Sequence, residues 1–109
     1  MFIDFSAMET QRLEHFKGGE GFVDAEMLFD GSVRILRGRI APGNSIGWHI
    51  HEDSSETIYL LEGRAVVIEE DGEYPLAAGQ CSYCPKGHGH SLVNRSDADI
   101  VFLGVVPQQ

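Results

Sequence analysis

Turn signals recur at short intervals along most of the chain and divide it into strand-like runs. The signals are Asp30-Gly31, Pro42-Gly43, Asp71-Gly72, Gly79, Pro85-Lys86-Gly87 and Ser96-Asp97. Between them lie GFVDAEMLF, SVRILRGRI, SIGWHIH, TIYLLEGRAVVIEE, EYPLAAG, QCSYCP, HSLVN and DIVFLGVV. Short apolar runs bounded by Gly, Pro and Asp are typical of strands, and Asp-Gly between VVIEE and EYPL is a strong hairpin signal. The pattern predicts an all-β protein from residue 21 onwards.

Several of these runs are apolar on both faces, among them IYLL, AVVI and IVFLGVV. Such strands occur where one face fills a barrel and the other packs on a second sheet or subunit. At 109 residues the chain suffices for one domain with a single core. We therefore expect residues 1–109 to form one small barrel or double-sheet jelly roll. Upstream, the spacing of Ser6 and Glu9 fits a capping box and predicts a short helix or turn within AMETQRLEHF.

Charge and hydropathy exclude several kinds of partner. The formal net charge is −9, and only eight Lys and Arg are scattered along the chain, so no basic patch for nucleic acid or an anionic membrane is expected. The longest apolar run, IVFLGVV at 100–106, is too short to span a bilayer. MFIDFSAMET has neither a basic segment nor a cleavage pattern. The expected location is the cytoplasm.

Four side chains in two separate segments point to a metal site. His49 and His51 occupy alternate positions of a predicted strand and therefore share a face. Glu56 begins the next strand after the EDSS turn, and His90, beyond the PKG turn, can join them from another strand. Three neutral imidazoles and a carboxylate suit a divalent first-row transition metal, and an octahedral ion would keep two positions for substrate or water.

The spacing of these residues resembles the two motifs of the cupin superfamily. The first motif is matched by Gly43, His49, His51, Glu56 and Gly63, and the second by Gly79, Pro85, Lys86, Gly87, His90 and Asn94. The motifs span residues 43–63 and 79–94, and the fifteen residues between them match a short bacterial single-domain cupin. The preceding stretch, from FKGGEG to GWHIHE, is similar to small manganese-type cupins related to oxalate-decarboxylase domains.

The resemblance implies a fold, a cofactor and a range of functions. The fold would be the cupin double-stranded β-helix, with His49, His51, Glu56 and His90 holding one manganese, iron, nickel, zinc or cobalt ion, and with Asn94 bracing a loop. Because cupins include dioxygenases, decarboxylases, isomerases and sugar binders, the reaction stays open. We favour a metalloenzyme that binds an organic acid, keto acid or sugar derivative on the metal. The alternative is a non-catalytic sensor or binding protein for a small carboxylate or sugar. No catalytic residue is assigned.

Strand alternation predicts which residues form the floor of the ligand pocket beside the metal site. If Glu56 faces the barrel interior, Ile58 and Leu60 face it too, and Tyr59 turns outward. Trp48 alternates away from His49, which favours packing over contact with substrate.

Other polar residues are weaker candidates for the pocket. Arg37 and Arg39 share a face and would form a carboxylate clamp inside the barrel, although an exposed pair is the more common outcome. His88 lies in a loop, where an exposed or supporting role is favoured over direct contact with substrate. Glu52 and Asp53 could act as an acid or base, but a solvated acidic loop is favoured.

The two cysteines resemble a CxxC motif but fall within a predicted strand. Residues three apart on a strand lie about 10 Å apart on opposite faces, whereas a disulfide tolerates about 7 Å. We expect Cys81 and Cys84 to remain thiols that pack in a strand.

Excess apolar surface predicts a homodimer. IVFLGVV is apolar on both faces, and Phe2, Ile3 and Phe5 add further apolar side chains near the N-terminus. Exposed patches of this kind mark partner surfaces, and two-fold dimers are the commonest closed assembly. The alternative is that the N-terminal segment folds back over its own barrel.

Overall fold

Ten strands make up most of the protein, and a computed structural model describes all of residues 1–109. The strands are β1 (Gln11–Glu14), β2 (Phe22–Phe29), β3 (Val33–Ile40), β4 (Ser45–Ile50), β5 (Glu56–Glu62), β6 (Arg64–Glu69), β7 (Gly72–Ala77), β8 (Cys81–Cys84), β9 (Gly89–Val93) and β10 (Ile100–Pro107). All strand pairs are antiparallel. The all-β prediction is confirmed.

The strands form two sheets that face each other across the core. The larger sheet has the order β1-β2-β3-β10-β5-β8, and the smaller has the order β4-β9-β6-β7. One cluster of 13 buried apolar residues fills the space between them. The predicted hairpin at Asp71-Gly72 joins β6 to β7, and Gly72 has a φ of 139°, a conformation that L side chains rarely adopt. The arrangement is the expected double-sheet jelly roll.

Packing inside the barrel is tight where β3 meets β10. Gly38 on β3 is the partner of Phe102 on β10, whose ring is fully buried. A Cβ atom on Gly38 would overlap that ring. The glycine therefore makes room for the largest side chain of the core.

The N-terminal segment differs from its prediction. It contains two three-residue 3-10 turns, Phe5–Ala7 and Phe16–Gly18, with strand β1 between them. The first turn is capped by Asp4, which accepts a hydrogen bond from the Ser6 backbone N–H, so the assignment of Ser6 as a helix cap is wrong. β1 pairs along the edge of β2, and this long-range pairing outweighs a weak local helix signal. Neither helix is long or apolar enough to cross a membrane.

Candidate metal centre

Strands from both sheets bring together the four side chains predicted to bind a metal. His49 lies on β4 directly opposite His90 on β9, and His51 follows β4 immediately. Glu56 is the first residue of β5 in the larger sheet. The register of β4 against β9 is irregular between Ile46 and His49. Such irregularities re-aim side chains, and this one lies just before the first histidine of the cluster.

The four side chains converge on a single point. The Nε2 atom of His90 lies 3.0 Å from that of His51, 3.1 Å from that of His49 and 2.9 Å from Oε1 of Glu56. The same Glu56 oxygen lies 3.0 Å from His51 Nε2 and 3.7 Å from His49 Nε2. Three of the four residues are buried, and His49 is half-buried. The donor atoms of all four lie within 4.8 Å of one another.

Neighbouring groups orient two of the imidazoles. The Nδ1–H of His49 donates to the backbone carbonyl of Gly47 at 2.8 Å. A carbonyl can only accept, so the neutral ring carries its proton on Nδ1 and turns the lone pair of Nε2 toward the cluster. Nδ1 of His51 lies 2.9 Å from the Ser54 hydroxyl. Hydrogen bonds on the remote nitrogen fix ring orientation in metal sites in the same way.

The donor set fits a divalent first-row transition metal. Two donors bound at about 2.1 Å and at right angles lie about 3.0 Å apart, which matches four of the five separations above. Imidazole and carboxylate are suitable ligands for manganese, iron, nickel, zinc or cobalt. Burial raises the pKa of the Glu56 carboxyl, but its contacts with the imidazoles of His49, His51 and His90 outweigh burial and hold that pKa well below its usual range. Glu56 is therefore present as a carboxylate.

A cavity of about 270 Å³ opens onto the cluster. His49, His51 and Glu56 form part of its wall. Its apolar side is formed by Phe16, Met27, Leu36, Ile46, Ile50 and Val106, and its polar side by Lys17, Arg34, Glu52, Ser54 and Gln108. This volume suits a small metabolite and lies below the range of drug-sized ligands.

Two predicted floor residues lie deeper than the cavity. Ile58 and Leu60 share the inner face of β5 with Glu56, and both are fully buried in the core cluster. Neither is among the residues that line the cavity. Each step of two residues along a strand moves about 7 Å, which carries these side chains away from the open end. Tyr59 points outward and is 40% exposed.

The two arginines considered as a clamp lie on the outer face of the larger sheet. Arg37 pairs with Glu26 at 2.9 Å, and Arg39 pairs with Asp99 at 3.6 Å. Neither lines the metal cavity. Alternation explains their position, because the inner face of β3 is taken by the even-numbered residues such as Leu36.

The remaining candidates are distributed around the cavity. His88 is exposed and its Nδ1 lies 3.0 Å from a carboxylate oxygen of Glu70, outside the cavity. Trp48 packs over Gly89, whose Cβ position lies 2.5 Å from the indole ring, and is 45% exposed. Glu52 lines the cavity, whereas Asp53 does not.

The cysteines are free thiols on opposite faces of β8, as their spacing predicted. Cys81 is exposed and Cys84 is buried beside Glu56, its partner in the sheet. Burial, together with the negative charges of Glu56 and Glu70, raises the pKa of the Cys84 thiol to about 11.

Sequence reasoning missed the two cations of the cavity, Lys17 and Arg34. The signal for Arg34 was present, because strand alternation puts it on the same face of β3 as Leu36. Lys17 carried no signal, because its position depends on a loop conformation that residue types alone do not specify.

Comparison with known proteins agrees with this architecture. Residues 36–106 match the cupin domain family, so the chain belongs to the cupins. An oxalate-binding protein of Thermotoga maritima is 29% identical over 112 aligned positions, covering 97% of this chain and 93% of the relative.

Two solved structures extend the comparison. A predicted oxalate decarboxylase from Thermotoga maritima superposes with a TM-score of 0.93 at 29% identity, covering all of both chains. A sugar phosphate isomerase from Silicibacter pomeroyi, also a cupin, gives a TM-score of 0.81 at 25% identity, covering all of this chain and 76% of the other.

Proposed function

We propose that this cupin holds one divalent transition-metal ion with His49, His51, Glu56 and His90 and binds a small carboxylate directly on that ion. The observation that carries the proposal is the convergence of four donor atoms on one point at the wall of a small cavity. When bound, the ion supplies a Lewis acid for a carboxylate or carbonyl oxygen. Gly47 and Ser54 keep the imidazoles oriented, and the cavity walls limit the size of the ligand.

Charge supports a carboxylate as the ligand. The chain has a formal net charge of −9, yet two of its eight Lys and Arg line this one cavity. Two carboxylates, Glu52 and Glu56, line the cavity as well, so a divalent ion bound there makes the site net positive and attracts anions. The similarity to an oxalate-binding protein makes oxalate the first ligand to test.

Titration calorimetry with oxalate tests the proposal. Manganese-loaded protein is expected to bind oxalate at one site per chain, and protein stripped with a chelator is expected to lose at least tenfold in affinity. The site-directed control is His51→Asn, which is treated with manganese in the same way. Equal affinity of the loaded and stripped forms would reject binding on the metal.

A metal-dependent enzyme is the second candidate, and the position of Glu52 favours it. Glu52 lines the same cavity as three of the metal ligands and can exchange protons with a bound substrate. Decarboxylase, dioxygenase and isomerase chemistries are all compatible with this residue set. Incubating the loaded protein with oxalate or a keto acid and following products by NMR separates an enzyme from a binding protein. Turnover that Glu52→Gln abolishes without loss of binding would establish the enzyme.

We also propose that the protein is a homodimer, paired through the outer face of the larger sheet. Alternation turns Leu103 and Val105 of β10 outward, beside Ile35 of β3 and Tyr59 of β5 in the sheet register. All four are partly or largely exposed. Phe2, at 90% exposed, adds apolar surface from the N-terminal segment. Apolar surface of this kind suits a second copy of the chain.

Two further proposals concern organisation and location. One core cluster that draws on both sheets supports a single domain over residues 1–109. Two free cysteines are compatible with the reducing cytoplasm.

A further inference from the structure

Arg34 is the one arginine of β3 on the inner face of the sheet. It neighbours Val106 of β10 and Phe29 of β2 in the register, and both Arg34 and Val106 line the metal cavity. Its side chain is half-buried. Arg34 therefore lines the same cavity as His49, His51 and Glu56.

Arg34 has no carboxylate partner. The other two arginines of β3 each form an ion pair, as do Arg12 with Asp24 and Arg95 with Glu73. The contact that Arg34 makes is with the ring of Phe29, 4.9 Å from its guanidinium carbon. Stacking on an aromatic face orients a guanidinium without using its N–H donors. Those donors stay available to a ligand.

A second cation reaches the cavity from the loop of residues 15–19, here called the roof loop. His15 and Lys17 are the only non-glycine residues with positive φ, at 48° and 55°. They flank Phe16, and both Phe16 and Lys17 line the cavity. Non-glycine residues in this conformation are uncommon and carry a cost that the surrounding structure must offset.

Close backbone packing holds the roof loop against β4. A Cβ atom on Gly47 would meet the carbonyl oxygen of Lys17, and one on Gly19 would meet that of Ser45. The Nδ1–H of His15 donates to the carbonyl of Gly19 at 3.1 Å, closing the loop on itself. The loop is therefore anchored where it contributes Lys17, whose ammonium has no carboxylate within ion-pair distance.

We infer that the cavity selects small dicarboxylates, with one end of the ligand on the metal and the second carboxylate bound by Arg34. This inference rests on the proposed function, because it needs a ligand anchored on the ion. A guanidinium binds a carboxylate through two parallel hydrogen bonds, and a half-buried one does so with less screening than a surface arginine. Lys17, being exposed, adds attraction with a smaller effect.

Two 2-hydroxy acids that share one metal-binding end test the inference. L-Lactate and L-malate both present a hydroxyl and a carboxylate to the ion, and malate alone carries a second carboxylate. Titration calorimetry on the manganese-loaded protein is expected to give malate at least tenfold tighter than lactate. Affinity for lactate reports on the proposed function by itself, and the ratio of the two affinities reports on Arg34.

Three arginine variants, two at position 34 and one control at position 64, complete the experiment. Arg34→Gln is expected to weaken malate binding more than lactate binding and so to reduce the preference for malate to less than threefold, and Arg34→Lys to restore part of the preference. Arg64→Gln is the control, because Arg64 is an exposed arginine without an ion pair that lies outside the cavity. It should keep the wild-type preference.

Two results would overturn the inference while leaving metal-dependent carboxylate binding intact. One is equal affinity of the wild type for lactate and malate, and the other is an Arg34→Gln variant that keeps the full preference for malate. If neither acid binds the loaded protein, both the inference and the proposed function fail.

Discussion

The inner and outer faces of β3 use the same residue type in opposite ways. On the outer face, Arg37 and Arg39 are each neutralised by a carboxylate, Glu26 or Asp99. On the inner face, Arg34 stacks on an aromatic ring and has no carboxylate partner. Three arginines within six residues therefore fall into two environments, and the parity of the position decides which one each enters.

The same division extends across the larger sheet. The inner face carries Glu56 into the imidazole cluster, whereas the outer face carries ion pairs at one end and apolar side chains at the other. Charges that balance one another locally contribute little beyond solubility and small stability increments. Charges that converge on a cavity without balancing are available to an ion or a ligand. The inner face is where function is expected.

The largest effect expected on the inner face is the pH dependence of metal binding. Coordinating imidazoles must be neutral, and histidines ordinarily titrate near pH 6.5, so protons compete with the metal as the pH falls. The pKa of Glu56 is held well below its usual range, so this group stays ionised and the loss comes from the imidazoles. Manganese affinity, measured by competition with a fluorescent chelator, should fall at least a hundredfold from pH 7 to pH 5.

His88→Ala is the outer control for this experiment. His88 is exposed and paired with Glu70 outside the cavity, so the variant should give the wild-type pH profile. An affinity that stayed constant between pH 5 and pH 8 would count against histidine ligation.

The outer face of the larger sheet should determine whether two chains form a dimer. Wild-type protein is expected to give a light-scattering mass near 24 kDa, twice the 12.0 kDa of one chain, at micromolar concentration. Leu103→Glu puts a charge into the proposed interface and should weaken the dimer at least tenfold. Val66→Glu, a half-buried apolar position on the smaller sheet, should leave it intact. A wild-type mass near 12 kDa rejects the dimer, and a deletion of residues 1–5 that leaves dissociation unchanged rejects only the N-terminal contribution.

Neighbouring positions of β3 offer a direct comparison of stability. Gly38→Ala should destabilise the fold by about 1–3 kcal/mol, because its Cβ would overlap the Phe102 ring. Arg39→Ala, one residue along and on the outer face, loses only an exposed ion pair at 3.6 Å and should cost less than about 0.5 kcal/mol. Urea denaturation measures both. If both variants lose the same free energy of unfolding, the inner face of β3 is not packed more tightly than the outer face.

The smallest effect is expected at the cysteines of β8. Cys81 and Cys84 point to opposite faces, so air exposure should leave the intact mass unchanged. Because the pKa of the buried Cys84 thiol is raised to about 11, this residue should also resist alkylation at pH 8 until the protein is unfolded. An intramolecular disulfide detected by mass spectrometry would contradict the register of β8.

Much of the fold followed from the sequence because short-range rules governed it. Turn residues marked most strand ends, and the spacing of His49 and His51 was enough to put both on one face of a strand. Alternation also gave the outward position of Tyr59. These features depend on two or three neighbouring residues, which the sequence specifies directly.

Other features required three-dimensional information. β1 forms only because an edge of β2 is available to it, and the roof loop takes its conformation from backbone packing on Gly47. The depth of Ile58 and Leu60 below the cavity depends on where the opposite sheet closes the barrel. Arg34 differs from these, because alternation could have identified it had the inner face of β3 been assigned from Leu36.

Metal content of ligand variants tests the central claim most directly. Wild-type protein, His51→Ala, Glu56→Ala and His88→Ala are each incubated with excess manganese, desalted and analysed by elemental mass spectrometry. The convergent cluster predicts about one ion per chain in the wild type and in His88→Ala, and at least a tenfold lower content in His51→Ala and in Glu56→Ala. Full occupancy in both of those variants would contradict the assignment of the inner-face cluster as the metal site.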